Sequence, residues 1–443
     1  MGRRPLTRVL DVYLNGRLAG YYSHRAGTGT HFRYDQGWLE WQFRFPISRS
    51  LPLTSAVQHG DHVEAVFENL LPDVTQLRQA IAERTAALSD RPHDLLAAIG
   101  QDCVGALQFL PHGSPAPQSP FHIEGERQSP AEIARTLRLL STMPLGIDPD
   151  EPFRISLAGA QEKTAYLRHE GHWVRPRGLT PTSHIFKRPM GIIGGGLDLT
   201  GSVENEYICL RLARELGLDV AEAEIQHFKE QVALVVTRFD RRPRAAGGLV
   251  RVPQEDFLQA MGRFSGEKYQ QHGGPSMTDC LIFLRQSDDP IGDQIRFLKA
   301  QLFNWMIAAV DGHAKNYSIF LEGDGFRLAP LYDIISAAPA HIRKAFRHND
   351  LQMAMSVGRR GHYRLDQIAP RHFEETAARA QVPLHVRHRA MTELAEQAPA
   401  AFDRVLANLP ATCPIALATE ILDYARPRLA LLQDYVSSLK SRG

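Results

Sequence analysis

The order of secondary-structure patterns along the chain is the strongest constraint on its fold. Before Pro253, short runs rich in β-branched and aromatic residues predict mostly strands, interrupted by turn residues and a few helices. After Pro253, almost every segment has apolar residues at the 3.6-residue spacing of an amphipathic helix. A sheet-rich half followed by a helical half predicts an α+β protein with two lobes.

The N-terminal part predicts a small α+β domain of its own. Two strand-like runs meet at Asn15-Gly16, a strong hairpin signal, and the aromatic segment Phe32 to Phe45 is expected to continue that sheet. The run PHGSPAPQSP at 111–120 is the clearest linker, because its prolines and small polar residues cannot build a core. We therefore expect an α+β domain at 1–110, a linker and helix at 111–150, a sheet-rich lobe at 151–250 and an all-helical lobe at 251–443.

The composition indicates an ordinary globular protein. Of the 443 residues, 43% are hydrophobic and 23% charged, and a net charge of +2 gives no general reason to bind nucleic acid. The four cysteines lie far apart without a C-x-x-C pair, which argues against a zinc site or a disulfide framework. No apolar run approaches a membrane-spanning length, and the Arg3-Arg4 start lacks the apolar stretch of an export signal. A cytoplasmic protein without membrane contact is expected.

Three polar residues in AVDGHAKNYSIFLEGDGFRLAPLYDIIS suggest phosphoryl transfer. Asp311 and Asn316 have the D-x-x-x-x-N spacing of a kinase catalytic loop, and Asp333 follows where a second metal-binding acid belongs. In that interpretation Asp311 is the base, Asn316 and Asp333 bind metal, Lys315 offsets substrate charge and His313 orients the loop. The alternative is that Asp311-Gly312 is a plain turn and that the other residues cap neighbouring elements.

A lysine and a glutamate upstream strengthen the kinase hypothesis. Lys187 ends the predicted strand 183–187, and Glu206 lies on the apolar stripe of the helix predicted to begin after an N-cap at Ser202. A buried carboxylate needs a cationic partner, and protein kinases pair a strand lysine with a helix glutamate. The small-residue turn after a predicted strand at 154–157, which contains Ala158, Gly159 and Ala160, can donate N–H groups to phosphates, although most such turns are only hairpins. The basic cluster from Arg238 to Arg244 is expected to be a solvated turn.

With these blocks in order, the chain resembles the HipA toxin kinases of bacterial toxin–antitoxin modules over nearly its whole length. The most specific stretches are FRISLAGAQEKTA, HIFKRP, ENEYICLRLA, TRFDRR, PQEDF, DGHAKNYS and LAPLYDIISA. The resemblance implies a serine/threonine protein kinase with an atypical, phosphatidylinositol-kinase-like bilobal fold that uses ATP and Mg²⁺.

Site roles follow from the same resemblance. Asp311 is implied as the catalytic residue, Asn316 and Asp333 as metal ligands, and Ser156 as an autophosphorylated serine whose modification silences the enzyme. Nucleotide contacts are implied for a larger set: Lys187, the turn at Ala158, Gly159 and Ala160, the adenine-holding segment Thr237, Arg238 and Phe239, and His313, Lys315 and Asn316 of the catalytic loop.

The implied partners are a small helix-turn-helix antitoxin, similar to HipB, and operator DNA bound mainly through it. Glutamyl-tRNA synthetase is the implied protein substrate. Direct DNA contact by Arg371, Arg379, Arg387 and Arg389 is a weaker possibility, because scattered arginines usually form a solvated face. Two other functions stay open at this stage: a small-molecule kinase of the aminoglycoside-phosphotransferase type, and a catalytically idle co-repressor scaffold.

Overall fold

The computed structural model describes residues 8–25, 27, 29–117, 121–148, 154–159, 161–193, 197–345 and 351–441, the side chains of 193 and 197 excepted. The chain divides into two compact units. Unit 1 comprises Met1–Arg188, Gln226–Gly266 and Ile319–Asp324, and unit 2 comprises Pro189–Ile225, Glu267–Ser318 and Gly325–Gly443. The four-part division expected from the sequence stays a prediction.

The strands are, in chain order, β1 (Arg8–Leu14), β2 (Arg17–Arg25), β3 (Gly29–Tyr34), β4 (Gln58–His59), β5 (Leu107–Pro111), β6 (Gly125–Gln128), β7 (Lys163–His169), β8 (His172–Pro176), β9 (His184–Lys187), β10 (Gly191–Ile193), β11 (Leu197–Leu199), β12 (Ala223–Phe228), β13 (Gln231–Thr237), β14 (Arg241–Pro243), β15 (Leu249–Arg251), β16 (Gln254–Asp256), β17 (Ser318–Glu322), β18 (Gly325–Leu328), β19 (Gln352–Val357) and β20 (His362–Arg364). The helices are α1 (Gln36–Leu39), α2 (Asp61–Glu68), α3 (Thr75–Thr85), α4 (Pro92–Ile99), α5 (Pro130–Leu139), α6 (Ser202–Glu215), α7 (Phe257–Ala260), α8 (Met277–Leu284), α9 (Pro290–Ile307), α10 (Ala338–Ile342), α11 (Pro370–Arg379), α12 (Leu384–Ala407) and α13 (Ile415–Lys440).

The first sheet of unit 1 has the order β4-β3-β2-β1-β5. Its central hairpin turns at Asn15 (φ 48°) and Gly16 (φ 86°), as the Asn-Gly signal predicts. The predicted continuation of the sheet to Phe45 is wrong. Strand β3 stops at Tyr34 because the Asp35 carboxylate accepts a hydrogen bond from Gly37 N and caps α1. The rings of Tyr22, Phe67 and Phe109 pack together beneath this sheet.

The second sheet of unit 1 has the order β12-β13-β9-β7-β8-β6, with β12 belonging to the unit from Gln226 onward. Helix α5 begins with a capping box between Ser129 and Glu132, and its apolar side belongs to a core cluster with Tyr166 and Phe186. The strand predicted at 154–157 is wrong. That segment forms no strand, and Ser156 N bonds instead to the Asp102 carbonyl.

The basic segment after β13 is not the solvated turn that we expected. Arg238 and Arg241 are 4% and 6% exposed, while Arg242 on the same segment faces solvent. The guanidinium groups of Arg238, Arg241 and Arg251 surround Asp102 and Asp240. We call these five residues the Asp102 cluster. Asp102 accepts hydrogen bonds from all three arginines, including one from Arg241 at 2.8 Å. The cluster joins the loop after α4 to β14 and β15 within unit 1.

Unit 2 is mainly helical, and its long helix α9 is buried from residue 293 to 307 except at Arg296. Helix α12 continues through Pro399 as one element. Ser202 is the first residue of α6 rather than its N-cap, and its hydroxyl accepts a hydrogen bond from Met190 N. Strands β10 and β11 pair antiparallel just before α6, while 194–196 between them lie outside the described residues.

The helical half also contains short strands that the sequence did not predict, including the hairpin of β19 and β20. The lobe expected to be all-helical is therefore helical with β insertions. All four cysteines are free and buried. Within the described part of the chain, no helix has the length and apolarity needed to cross a bilayer.

Candidate active site

The loop that carries Asp311 begins where α9 ends. Ala308 has a left-handed backbone (φ 55°), and Ala309 N bonds to the Asn304 carbonyl at 2.8 Å, so the helix stops there. Gly312 fits because a Cβ at this position would lie 2.4 Å from Asn304 Nδ2. The Asp311 side chain is 60% exposed and is therefore open to an incoming hydroxyl group.

Asn316 is held in place by hydrogen bonds within the loop that carries Asp311. Its Nδ2 donates to the Asp311 carbonyl at 2.8 Å, and its main-chain N–H donates to the His313 carbonyl in a short 3₁₀ turn. Because the amide nitrogen is engaged, the amide oxygen is the end of this side chain that can bind a cation.

Asp333 lies on a segment fixed from two sides. Asn205 on α6 exchanges two 2.8 Å hydrogen bonds with the main chain of Ser336, and the Ser336 hydroxyl donates to the Ile307 carbonyl at the end of α9. Asp333 itself has φ 58°, an uncommon conformation for a residue with a side chain. Such outliers persist where the surrounding structure over-determines them, and they concentrate at functional sites.

These three residues line one surface pocket in unit 2. Its wall comprises Ala300, Asn304, Ala309, Asp311, Gly312, Asn316, Tyr317, Leu331, Tyr332, Asp333, Ile334 and Ile335. Asp311, Asn316 and Asp333, which span twenty-two positions in the sequence, thus meet in one concavity. The arrangement is the one that a phosphoryl-transfer site requires: a carboxylate open to an acceptor, and further oxygen donors beside it.

The donor set fits a metal that arrives with a nucleotide. Among the described residues, no group of three or more His, Cys, Asp or Glu side chains is placed to hold a metal ion. A Mg²⁺ ion bound with ATP needs only one or two carboxylates, since water and phosphate oxygens complete its shell. The Asp333 carboxylate and the Asn316 amide oxygen meet that smaller requirement.

The other loop residues are buried. His313 and Lys315 are 3% and 6% exposed, and His313 Nε2 lies 3.8 Å from Asp311 Oδ1. The Lys315 carbonyl accepts a hydrogen bond from the Tyr332 hydroxyl at 2.9 Å. His313 thus lies where it can orient Asp311, whereas the contact of Lys315 with a nucleotide stays a prediction.

In unit 1, Lys187 has a neighbour that sequence reasoning missed. Lys163 on β7 pairs directly opposite Lys187 on β9, and each residue is 7% exposed. Two buried like charges in opposite positions are costly unless negative charge is nearby. No local pattern in the sequence indicates this neighbour, because it depends on the antiparallel pairing of β7 with β9.

The small-residue turn at Ala158 and Gly159 contacts Lys163. Lys163 Nζ donates to the Ala158 carbonyl at 2.5 Å, and a Cβ on Gly159 (φ 97°) would lie 2.7 Å from that nitrogen. The positive φ at 159 favours glycine. Ala160 lies outside the described residues.

Ser156 is fully buried, with an exposure of 0%. Its hydroxyl donates to the Leu70 carbonyl at 2.7 Å. Phosphorylation of this serine requires the segment to leave its place, because a dianionic group cannot be accommodated in a closed apolar surrounding.

The predicted adenine-holding segment is largely engaged in the fold. Arg238 N bonds to the Ser183 carbonyl, and its guanidinium group belongs to the Asp102 cluster. Phe239 is half-buried and packs edge-on against Phe320 at 5.7 Å between ring centroids, and Thr237 pairs with His184 across the sheet. Glu206 in unit 2 is buried as expected, at 2% exposure. Its ion pair with Lys187 stays a prediction.

Comparison with known proteins decides the family. Residues 155–405 match the model of the HipA-like C-terminal domain, and residues 10–110 match that of the HipA N-terminal domain. The chain belongs to the HipA family. A putative kinase of Sinorhizobium fredii, Y4mE, is 33% identical over 90% of this chain and 92% of its own length. The serine/threonine-protein kinase toxin HipA of Shewanella oneidensis is 29% identical over 74% of this chain and 75% of its own length.

The predicted fold class is confirmed by a solved structure of the HipA family. The structure titled as the Shewanella oneidensis HipA, HipB and operator DNA complex superposes with a TM-score of 0.79 at 24% identity, and covers 97% of this chain and 99% of that one. The α+β, kinase-like fold therefore holds for this chain. As a HipA-family member it is an enzyme of the serine/threonine kinase class, and kinases in general use a nucleotide and a metal.

Proposed function

We propose that this HipA-family protein is the toxin of a toxin–antitoxin module and transfers the γ-phosphoryl group of ATP, with Mg²⁺, to serine or threonine in proteins. The observation that carries the proposal is the pocket shared by Asp311, Asn316 and Asp333. Family membership gives the reaction class, and this pocket supplies the groups that the reaction needs.

Each residue has a distinct role in this proposal. Asp311 accepts the proton of the attacking hydroxyl group, since its carboxylate is the exposed acid of the loop. Asn316 and Asp333 hold Mg²⁺, which supplies charge neutralisation at the phosphates when it is bound. Lys187, with Lys163 beside it, binds phosphate oxygens as a positive charge. Glu206 supports Lys187, and Ser156 is the self-phosphorylation site.

The partners are proposed from similarity. A small helix-turn-helix antitoxin similar to HipB and operator DNA are favoured because the structural relative is a complex with both. Glutamyl-tRNA synthetase is the proposed acceptor, and its phosphorylation would arrest growth; with the antitoxin, the protein would also act as a transcriptional co-repressor. DNA contact is proposed to run through the antitoxin, because Arg387 and Arg389 already pair with Glu374 and Glu393 on this chain.

Intact mass spectrometry before and after incubation with Mg²⁺-ATP tests the proposal. Wild type should gain one phosphate that maps to Ser156, and Asp311→Asn should bind ATP but gain phosphate far more slowly. An Asp311→Asn protein that gains phosphate at the wild-type rate would remove Asp311 from its role. Failure of the wild type to bind Mg²⁺-ATP would favour the idle co-repressor scaffold instead.

A further inference from the structure

Tyr269 contacts the candidate catalytic carboxylate directly. Its phenol donates a hydrogen bond to Asp311 Oδ1, although the two residues are 42 positions apart. No spacing in the sequence indicated this contact. The contact places a second side chain on the Asp311 carboxylate, which would take the proton of the acceptor hydroxyl.

The ring of Tyr269 is packed beside the same loop. It contacts the His313 ring edge-on at 5.0 Å and the His272 ring at 5.8 Å between centroids. His313 is buried, and its Nε2 also faces Asp311 Oδ1. Tyr269 and His313 therefore approach one oxygen of the carboxylate together.

The segment that carries Tyr269 is anchored to a strand. Gln270 Oε1 accepts a hydrogen bond from Ser356 N at 2.8 Å, and Gln270 Nε2 donates to the Ser356 hydroxyl at 3.0 Å. Gln271 bonds to Gln352 on the same strand, β19, at 2.9 Å. Side chains supported in this way keep their geometry, which favours a fixed support for Asp311 over a mobile cover.

We propose that Tyr269 is a positioning residue for phosphoryl transfer, an inference that rests on the proposed function. The phenol fixes the carboxylate through Oδ1 and leaves Oδ2 to accept a proton. In the reaction, the acceptor oxygen forms a bond to the γ-phosphorus, the bond from that phosphorus to the bridging oxygen of ADP breaks, and the acceptor proton passes to Asp311. Correct placement of the base lowers the barrier to that step without affecting ATP binding.

The test is Tyr269→Phe in the full chain, because this change removes the hydroxyl group and keeps the ring against His313. We expect a roughly tenfold lower kcat for ADP formation from Mg²⁺-ATP, measured in a Ser156→Ala background so that self-phosphorylation does not silence the enzyme, with KM for ATP unchanged. Tyr435→Phe is the matched control, since its phenol donates to the Glu374 carboxylate in the same unit, away from the pocket. That control should keep the wild-type kcat and a similar melting temperature.

Combination with Asp311→Asn separates positioning from a structural role. If Tyr269 acts through Asp311, Tyr269→Phe should not lower the residual rate of Asp311→Asn any further. A full additional loss in that background, or a wild-type kcat in the single variant, would overturn the inference. A higher kcat would mean that the phenol occludes the base, which also overturns it.

The outcomes also separate this inference from the proposed function. If wild type forms ADP far faster than Asp311→Asn does, the proposed function stands whatever Tyr269→Phe does. If wild type forms no ADP, both the function and the inference fail.

Discussion

The buried charges of the Asp102 cluster give the sharpest stability prediction. Three guanidinium groups face two carboxylates, and Asp102 also accepts hydrogen bonds from Thr182 N at 3.0 Å and the Thr182 hydroxyl at 2.7 Å. The change Asp102→Asn keeps the size but takes the net charge of the cluster from +1 to +2. Breaking one side of a buried ion pair costs about 3–5 kcal/mol, a large share of the 5–15 kcal/mol that typically stabilises a domain.

The assay is urea unfolding followed by tryptophan fluorescence. Trp38, Trp41 and Trp173 belong to unit 1, so a Trp305→Phe background makes the signal report on that unit alone. At neutral pH, Asp102→Asn should lower the unfolding midpoint by an amount equivalent to about 3–5 kcal/mol. Glu170→Gln is the control, because its pair with Arg127 is 66% exposed on both sides and is worth less than roughly 1 kcal/mol.

The pH dependence of the same difference provides a second check. Burial alone raises the pKa of Asp102, but Arg241, Arg238 and Arg251 outweigh burial and hold that pKa well below its usual range. The stabilisation should therefore be complete above about pH 4, the unfolded-state pKa, and be lost only as the pH falls below it. A difference under about 1 kcal/mol between Asp102→Asn and wild type at neutral pH would refute the reasoning.

Three further outcomes are expected. Burial raises the pKa of Glu255 to about 8, so the folded chain retains a proton that the unfolded chain loses above about pH 4.5. The free energy of unfolding of wild type should therefore fall by up to about 1.4 kcal/mol per pH unit as the pH rises between those values. In urea titrations at several pH values, the unfolding free energy of Glu255→Gln should fall less steeply with pH; a fall as steep as that of wild type would contradict this. Lys187→Ala should weaken Mg²⁺-ATP binding about tenfold by calorimetry, and an equal loss in the exposed Lys229→Ala would argue against a specific contact. Ser156→Ala should gain no phosphate on incubation with Mg²⁺-ATP, so continued incorporation in its mass spectrum would point to another serine.

Local patterns were reliable where one short-range effect dominates. The Asn15-Gly16 hairpin and the apolar face of α9 follow from backbone preference and periodicity, which a sequence displays directly. The strand predicted at 154–157 failed because its hydrogen bonds go to Asp102 and Leu70, residues far away in the chain. Long-range partners of this kind leave no local pattern.

The residues of the candidate site fall into the same two groups, those that a local pattern indicated and those that depend on a distant partner. The spacing of Asp311, Asn316 and Asp333 indicated the chemistry, since one loop and one following segment carry all three. Lys163 and Tyr269 were missed because each becomes significant only through a neighbour brought to it by strand pairing or packing. The burial of Arg238 and Arg241 was missed for the same reason, because the sequence alone predicted that both side chains face solvent.

The sequence by itself determined the order of a sheet-rich and a helical half, the family and the choice of candidate catalytic side chains, because these depend on residue types and spacings along one dimension. Only the tertiary structure decided which charges are buried, that Ser156 is closed off from solvent, and which phenol contacts the Asp311 carboxylate. These properties depend on what lies within a few ångströms of each atom, and that neighbourhood is set by the folding of distant segments against one another.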